Sequence, residues 1–329
     1  MKKEKLIQIK NLKTFFYTEA GTVKAVNDVS FNIYKGEVLG IVGESGSGKS
    51  VTSLSINRLI PNPPGEIVSG EILYNDINLL DLSYEEMSTY RGNHISMIFQ
   101  EPMTSLNPVL KIGVQMNEIL IKHYELNDEE ATKKSIEMLN AVGIPNPEQR
   151  IDEYPHQFSG GMRQRVMIAM ALQCNPSLLI ADEPTTALDV TIQAQILDLM
   201  MDLKDKRKDA AILLITHDLA VVAETCDRVI VMYGGEIQEI ATIEELFKNP
   251  LHPYTKALMN SIPHMERKTK RLKALKGMVP SILEMGDGCK FCSRFEPEEC
   301  PCMGTKENQE LFEAKKNHFV RCKKEMINV

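Results

Sequence analysis

The sequence predicts an α/β fold with a parallel β-sheet at its core. Three short and mostly apolar runs support this prediction, at residues 37–42, 177–181 and 211–216. Strands that are buried on both faces of a parallel sheet have this composition, because neither face meets water. A glycine-rich loop follows the first run, and stretches with helical spacing lie between the runs. Ligands of such sheets bind at the carboxyl ends of the strands, so functional residues are expected there.

Three smaller parts accompany this core. Residues 6–10 and 25–33 alternate between apolar and polar side chains, which predicts an antiparallel β element near the start, with a turn at 34–36. A helical insert is predicted at about 107–157, with helical spacing over 111–124 and a second helix that Asn127 and Asp128 cap and Gly143 ends.

The pattern changes at about residue 245. We therefore expect a first domain over 1–245 and a small C-terminal accessory domain over 246–329. A break at 249–253 precedes a short apolar helix. The basic stretch 267–271 is more typical of a solvated helix face than of a binding patch.

Charge and composition exclude several classes of function. The net charge is −7, and no long run of Lys or Arg occurs, so the chain is a poor candidate for nonspecific nucleic-acid binding. No apolar run approaches the ~20 residues that span a bilayer. The N-terminal residues resemble a strand and not the core of a signal peptide. We expect a soluble, intracellular protein.

A phosphate-binding loop stands directly after the first predicted strand. The sequence fits the pattern G-x-x-x-x-G-K-[ST], in which glycines let successive backbone N–H groups point at phosphate oxygens. The helix that follows adds the positive end of its dipole. The lysine is expected to reach the β- and γ-phosphates and the last serine to bind Mg²⁺. The predicted nucleotide-binding residues are Gly43, Glu44, Ser45, Gly46, Ser47, Gly48, Lys49, Ser50 and Val51.

Two acidic residues, Asp182 and Glu183, end the second apolar run. Asp182 is expected to hold Mg²⁺, directly or through water, and Glu183 to orient or deprotonate the attacking water. On its own, such a pair is equally typical of a catalytic site and of acidic residues that cap the following helix. The phosphate loop in the same chain favours the catalytic interpretation.

A second device for binding anions is predicted at Ser159, Gly160 and Gly161. Ser159 is a good N-cap for the apolar helical run that follows, and the glycines leave backbone N–H groups accessible. Alone, these residues indicate only a capped helix. Since one nucleotide needs one phosphate loop, we expect this helix end to serve a nucleotide that another copy or a partner holds.

Taken together, these motifs resemble those of an ATP-binding cassette. The phosphate loop, Gln100, Ser159-Gly-Gly-Met, Asp182-Glu183, Ala187-Leu-Asp189 and His217 follow in the order of that family. The stretches 98–108, 154–165, 181–195 and 249–255 resemble the D-type ATPase subunit of oligopeptide and dipeptide importers more closely. The resemblance implies the cassette fold: a parallel core, an antiparallel β subdomain, a helical insert and a small accessory domain.

The resemblance also implies roles for single residues. Gln100 would contact Mg²⁺ or water, His217 would hydrogen-bond the γ-phosphate, and Asp189 would cross a dimer interface. An aromatic side chain near the start would stack on adenine. We favour Phe16 for this role, while Phe15 and Tyr17 remain alternatives.

The implied activity is ATP hydrolysis that drives peptide uptake, with ATP and Mg²⁺ as cofactors. The implied partners are a second cassette subunit of the paralogous F type, two permease subunits and an extracellular or periplasmic solute-binding protein. The implied location is the cytoplasmic face of the membrane. The alternatives are an importer of nickel or another small solute, a non-transport cassette protein, and a regulatory module with an inactive site.

Cysteines crowd the end of the chain. Four thiolates can hold Zn²⁺ or an iron–sulfur cluster, and the spacing does not choose between them. The D-type resemblance includes a Cys-x-Phe-x-x-Arg-Cys pattern that is associated with a [4Fe–4S] cluster, and this chain departs from it at Phe295. Five free thiols are the simpler alternative. We expect a metal site made by four of Cys289, Cys292, Cys300, Cys302 and Cys322.

Overall fold

The computed structural model describes residues 3–100, 105–185, 190–261, 279–286, 288–294 and 309–323. In chain order, the elements of these residues are β1 (Lys5–Thr18), β2 (Gly21–Tyr34), β3 (Val38–Val42), α1 (Lys49–Ile56), β4 (Gly65–Tyr74), β5 (Ile77–Asn78), α2 (Tyr84–Tyr90), β6 (Ile95–Ile98), α3 (Ile112–Tyr124), α4 (Asp128–Ala141), α5 (Pro147–Arg150), α6 (Gly160–Leu172), β7 (Leu178–Asp182), α7 (Val190–Asp205), β8 (Ala211–Ile215), α8 (Leu219–Thr225), β9 (Arg228–Tyr233), β10 (Glu236–Thr242), α9 (Ile243–Lys248), α10 (Pro253–Asn260), β11 (Leu311–Lys315) and β12 (His318–Arg321).

The chain forms two compact units. The first unit comprises Met1–Leu6, Ile33–Glu37 and Asp81–Leu214, and the second comprises Ile7–Asn32, Val38–Leu80 and Ile215–Val329. Among the helices of the described ranges, none has both the length and the apolar character needed to cross a membrane.

Parallel strands form the centre of the first unit. Strands β6 and β7 pair in parallel, with Ile98 opposite Ala181, and β8 lies on the other side of β7. All five residues of β7 are buried, and so are those of β8. The apolar runs therefore form buried parallel strands, as predicted.

Helices α3 and α4 of the first unit begin and end where the sequence predicts. Asn127 caps α4 through a reciprocal capping box: its side chain accepts from Glu130 N at 2.9 Å, and its own N–H donates to the Glu130 carboxylate at 3.2 Å. Gly143 stands just beyond the end of α4 with φ 74°, a left-handed conformation that glycine adopts without steric cost.

Two β-sheet regions form the second unit. The first has the strand order β2-β1-β4-β5, and β1 pairs with β4 from Ile7↔Tyr74 to Phe16↔Gly65. The antiparallel element near the start is thus confirmed, although β1 continues to Thr18, well past the predicted residue 10. In the second region β3 pairs with β9 in parallel, and β10, β12 and β11 follow in antiparallel order.

The buried carboxylate of Glu239 holds the C-terminal hairpin, β11 and β12, against β10. Its two oxygens accept hydrogen bonds from the backbone N–H groups of Leu251 and His252, each at 2.8 Å. The Nε2 atom of His318 lies 2.7 Å from the same carboxylate. One anionic side chain on β10 therefore joins β12 to the segment that leads into α10.

His252 makes the stability of this segment dependent on pH. Its side chain is 1% exposed, and Nδ1 accepts from Tyr254 N at the start of α10. Burial lowers the pKa of His252 to about 4, an effect that Arg321 and Lys256 strengthen and Glu239 opposes. The folded state holds the neutral ring, so stability is lost as pH falls from about 6.5 towards about 4.

We expect His252→Asn to remove this dependence, because asparagine can cap α10 but does not titrate. Between pH 7 and pH 4 the wild type should lose about 3 kcal/mol of unfolding free energy relative to the variant. Urea unfolding at several pH values measures this difference, with His156→Asn, a change of an exposed histidine, as control. Parallel curves for the wild type and the His252 variant would contradict the assignment.

Candidate nucleotide site

The phosphate loop lies in the second unit, between the end of β3 and the start of α1. Gly43, Gly46 and Gly48 have φ values of 157°, 77° and 99°. A Cβ atom at Gly43 would collide with the carbonyl oxygen of Met232, and one at Gly48 with that of Ala25. Glycine is therefore required for the backbone conformation of this loop.

Lys49 spans this loop. Its ammonium donates to the carbonyl oxygens of Gly43 at 2.8 Å and Glu44 at 3.0 Å, and the residue is only 5% exposed. The buried hydroxyl of Ser47 has no hydrogen-bond partner among the described residues. Buried polar groups are normally paired, so a loop with a cation, glycines and an unsatisfied hydroxyl fits a phosphate chain. Ser50 and Val51, in the first turn of α1, are half-buried.

Two more predicted residues lie in the second unit. His217 follows β8 and is exposed, next to Asp218, the N-cap of α8. Phe16 is half-buried on β1, and a Cβ atom at Gly65 would lie 2.8 Å from its ring. Tyr17, one of the alternatives to Phe16, is 50% exposed.

The first unit brings Gln100 and Glu183 together. Gln100 Nε2 donates to the Glu183 carboxylate at 3.3 Å. The two residues follow the carboxyl ends of the neighbouring strands β6 and β7, which explains their proximity. Glu183 has φ 46°, a left-handed conformation that is uncommon outside glycine and is often found at functional sites. Asp182, the last residue of β7, is 4% exposed.

The end of α6 is built as predicted. The Ser159 hydroxyl accepts from Met162 N at 3.3 Å, which caps the helix. Ser159 and Gly160 are exposed, and a Cβ atom at Gly160 would meet nothing within 4 Å. A 13-residue helix thus presents an accessible N-terminus, which favours an anion. Asp189, the predicted interface residue, lies outside the described residues.

Sequence analysis missed two residues that contact the phosphate loop. The hydroxyl of Tyr254, on α10, accepts from the backbone N–H of Glu44 at 2.9 Å. Arg294 NH1 donates to the Glu44 carboxylate at 2.5 Å. Tyr254 and Arg294 follow Glu44 by 210 and 250 residues, so no local pattern could have revealed them.

Three of the five C-terminal cysteines gather in one apolar cluster. Cys292 and Cys322 are buried there with Val320, and Cys289 packs against them. Cys292 is disulfide-bonded. Among the described residues, no group of three or more His, Cys, Asp or Glu side chains is placed to hold a metal ion. The predicted ligands Cys300 and Cys302 lie outside the described residues, and nothing found here supports an iron–sulfur cluster or Zn²⁺.

The phosphate loop at a strand-to-helix junction and the acidic end of a buried parallel strand define the class of P-loop nucleotide-binding proteins. The ABC transporter family model matches residues 26–186, and that of the oligopeptide/dipeptide transporter C-terminal region matches residues 238–302. The chain belongs to the ATP-binding proteins of ABC transporters, as an ABC-type ATPase that carries this C-terminal region.

Similar proteins cover almost the whole chain. The probable peptide ABC transporter ATP-binding protein y4tR of Sinorhizobium fredii is 55% identical over 89% of this chain and 88% of its own length. The oligopeptide transport ATP-binding protein AppD of Bacillus subtilis is 51% identical over 96% of both chains. The dimeric structure of MJ0796, an ATP-binding cassette in a post-hydrolysis state with ADP and Pi, has a TM-score of 0.64 and 30% identity over 72% of this chain and 98% of that one. The predicted family and fold are therefore confirmed.

Proposed function

We propose that this chain is the ATP-hydrolysing subunit of a membrane importer of oligopeptides or dipeptides. One observation carries the proposal: a family model for the C-terminal region of oligopeptide and dipeptide transporters matches residues 238–302, behind an ABC ATPase with a complete phosphate loop. The chain is organised as a cassette over 1–245 and an accessory domain over 246–329. It acts at the cytoplasmic face of the membrane.

The proposed partners follow from this assignment. They are a second cassette subunit of the F type, two permease subunits and an extracellular or periplasmic solute-binding protein. Relatives that are named as peptide or oligopeptide transport proteins support the permease subunits and the solute-binding protein.

In the phosphate loop, Lys49 binds the β- and γ-phosphates, and backbone N–H groups between Gly43 and Val51 hold their oxygens. The N–H group of Glu44 is the exception, because it donates to the Tyr254 hydroxyl. Ser50, Gln100 and Asp182 hold Mg²⁺, which neutralises phosphate charge when it is bound. Hydroxyl, amide and carboxylate oxygens are ligands that suit this hard cation. Phe16 stacks on adenine.

Glu183 orients and deprotonates the attacking water, and His217 donates a hydrogen bond to the γ-phosphate. The hydrogen bond from Gln100 supports the role of Glu183, because it holds the carboxylate in one orientation. The left-handed backbone at Glu183 also supports a functional role.

Two cassettes face each other head to tail. The Ser159, Gly160 and Gly161 end of α6 binds the γ-phosphate of the nucleotide in the other cassette, and Asp189 crosses the interface. Loss of the γ-phosphate removes this electrostatic bridge and lets the pair open, which shifts the population of states that the permease senses. The exposed, capped end of α6 supports this arrangement.

Purification of the full-length chain from native membranes tests the proposed function. We expect two permease proteins and a second cassette protein to co-purify, and ATP hydrolysis to rise when peptide-loaded binding protein is added. Stimulation by nickel in place of peptides would assign the chain to an importer of another solute. Nucleic acid without a membrane protein would instead support a non-transport ATPase and contradict the proposal.

We also propose that the C-terminal cysteines bind a metal, as a [4Fe–4S] cluster or as Zn²⁺. The proposal rests on the number and spacing of the five cysteines in the sequence. Since thiolates are the ligands, Cys292 would have to be reduced first. Anaerobic purification followed by analysis for iron, sulfide and zinc tests the proposal. A protein that contains none of the three would refute it.

A further inference from the structure

Glu44, the second residue of the phosphate loop, is held at three of its polar groups. Its backbone N–H donates to the Tyr254 hydroxyl at 2.9 Å, and its carbonyl oxygen accepts from Lys49 at 3.0 Å. Its carboxylate pairs with Arg294 at 2.5 Å. Two of these three partners come from the C-terminal part of the chain, beyond the ABC transporter match.

Both partners belong to or contact a cluster of three packed aromatic rings. The ring centroids of Tyr233 and Tyr254 are 4.8 Å apart, and that of Phe291 lies 5.3 Å from the first and 5.0 Å from the second. The Arg294 guanidinium lies 5.9 Å from the Phe291 centroid. Its side chain is only 4% exposed. The packed rings and the burial of the guanidinium restrict the conformations of the Arg294 side chain. Arg294 is therefore pre-organised to pair with Glu44.

The charge of Glu44 gives this contact a consequence for nucleotide binding. A carboxylate in a loop that binds a triphosphate repels the ligand unless a cation offsets it. The side chain of Glu44 is 26% exposed, so water screens it only in part. Removal of one partner of a largely buried ion pair leaves an uncompensated charge.

We infer that Arg294 and Tyr254 are positioning residues for the phosphate loop. Arg294 neutralises and fixes the Glu44 side chain, while Tyr254 fixes the Glu44 backbone N–H. The accessory domain therefore contributes to the nucleotide site, through two residues that are not among its predicted metal ligands. This inference rests on the proposed role of the loop in ATP binding.

A double-mutant cycle in the full-length ATPase tests the inference. Arg294→Met should raise the KM for ATP about tenfold or more, while kcat at saturating ATP changes far less. The same change in the Glu44→Gln background should raise KM by a much smaller factor, because no anion is left to compensate. In about 0.5 M salt the effect of Arg294→Met should shrink, because the repulsion is screened. Tyr254→Phe keeps the ring and should raise KM by about threefold.

The controls separate the possible causes. Lys315→Met, which removes an exposed positive charge from β11, should leave KM unchanged. Lys49→Ala tests the loop itself: if it leaves ATP binding intact, the proposed site is wrong. If Lys49→Ala abolishes binding but Arg294→Met leaves KM unchanged, or raises it equally in both Glu44 backgrounds, the positioning role is wrong. Because Tyr254→Phe preserves packing, an unchanged KM in that variant would refute the role of Tyr254 even if Arg294→Met does not fold.

Discussion

Glu183→Gln is expected to lower ATP hydrolysis by about a thousandfold while ATP still binds. The amide has nearly the shape of the carboxylate, so the contact with Gln100 at 3.3 Å survives. It cannot accept a proton, so the attacking water loses its base. Single-turnover hydrolysis and equilibrium ATP binding together measure the two parts of this result.

Glu137→Gln is the matched control, because it makes the same chemical change on the exposed face of α4 and should leave hydrolysis unaltered. Retention of wild-type hydrolysis in Glu183→Gln would mean that another group activates the water. Loss of ATP binding in the same variant would mean that Glu183 has a structural role.

Lys49→Ala is expected to weaken ATP binding by about ten- to a hundredfold, the range for lost hydrogen bonds to a charged group. Two effects add. The phosphates lose a cation that is 5% exposed, and the carbonyl oxygens of Gly43 and Glu44 lose the donor that spans the loop. Calorimetric titration with ATP in the absence of turnover measures the loss.

Lys133→Ala, on the exposed face of α4, removes a positive charge elsewhere and serves as the control. If Lys49→Ala bound ATP as tightly as this control, residues 43–50 would not be the nucleotide site.

Features encoded by neighbouring residues were predictable. The phosphate loop needs glycines and Lys49 within eight positions, and the caps at Asn127 and Gly143 each depend on a few adjacent residues. Buried strands such as β7 and β8 are continuous apolar runs, which show in the sequence directly. Gly234-Gly235 between β9 and β10 is a hairpin signal of the same local kind, and it was overlooked.

Features that depend on distant pairing were not predictable. Gln100 and Glu183 were both selected from the sequence, but their contact follows from the register of β6 and β7, with Ile98 opposite Ala181. The pairing of Arg294 with Glu44 joins residues 250 positions apart, and Arg294 stood out only as part of a cysteine pattern. Among the described residues that pattern yields no metal-holding group, and its phenylalanine and arginine support the phosphate loop instead.

In the proposed mechanism, two cassettes share their nucleotides and the γ-phosphate holds the cassettes together. Sedimentation of the full-length Glu183→Gln variant with the second cassette subunit, in ATP and then in ADP, tests this mechanism. We predict a tight cassette pair in ATP and mostly separate cassettes in ADP. Equal association in both nucleotides, or none in either, would contradict the mechanism.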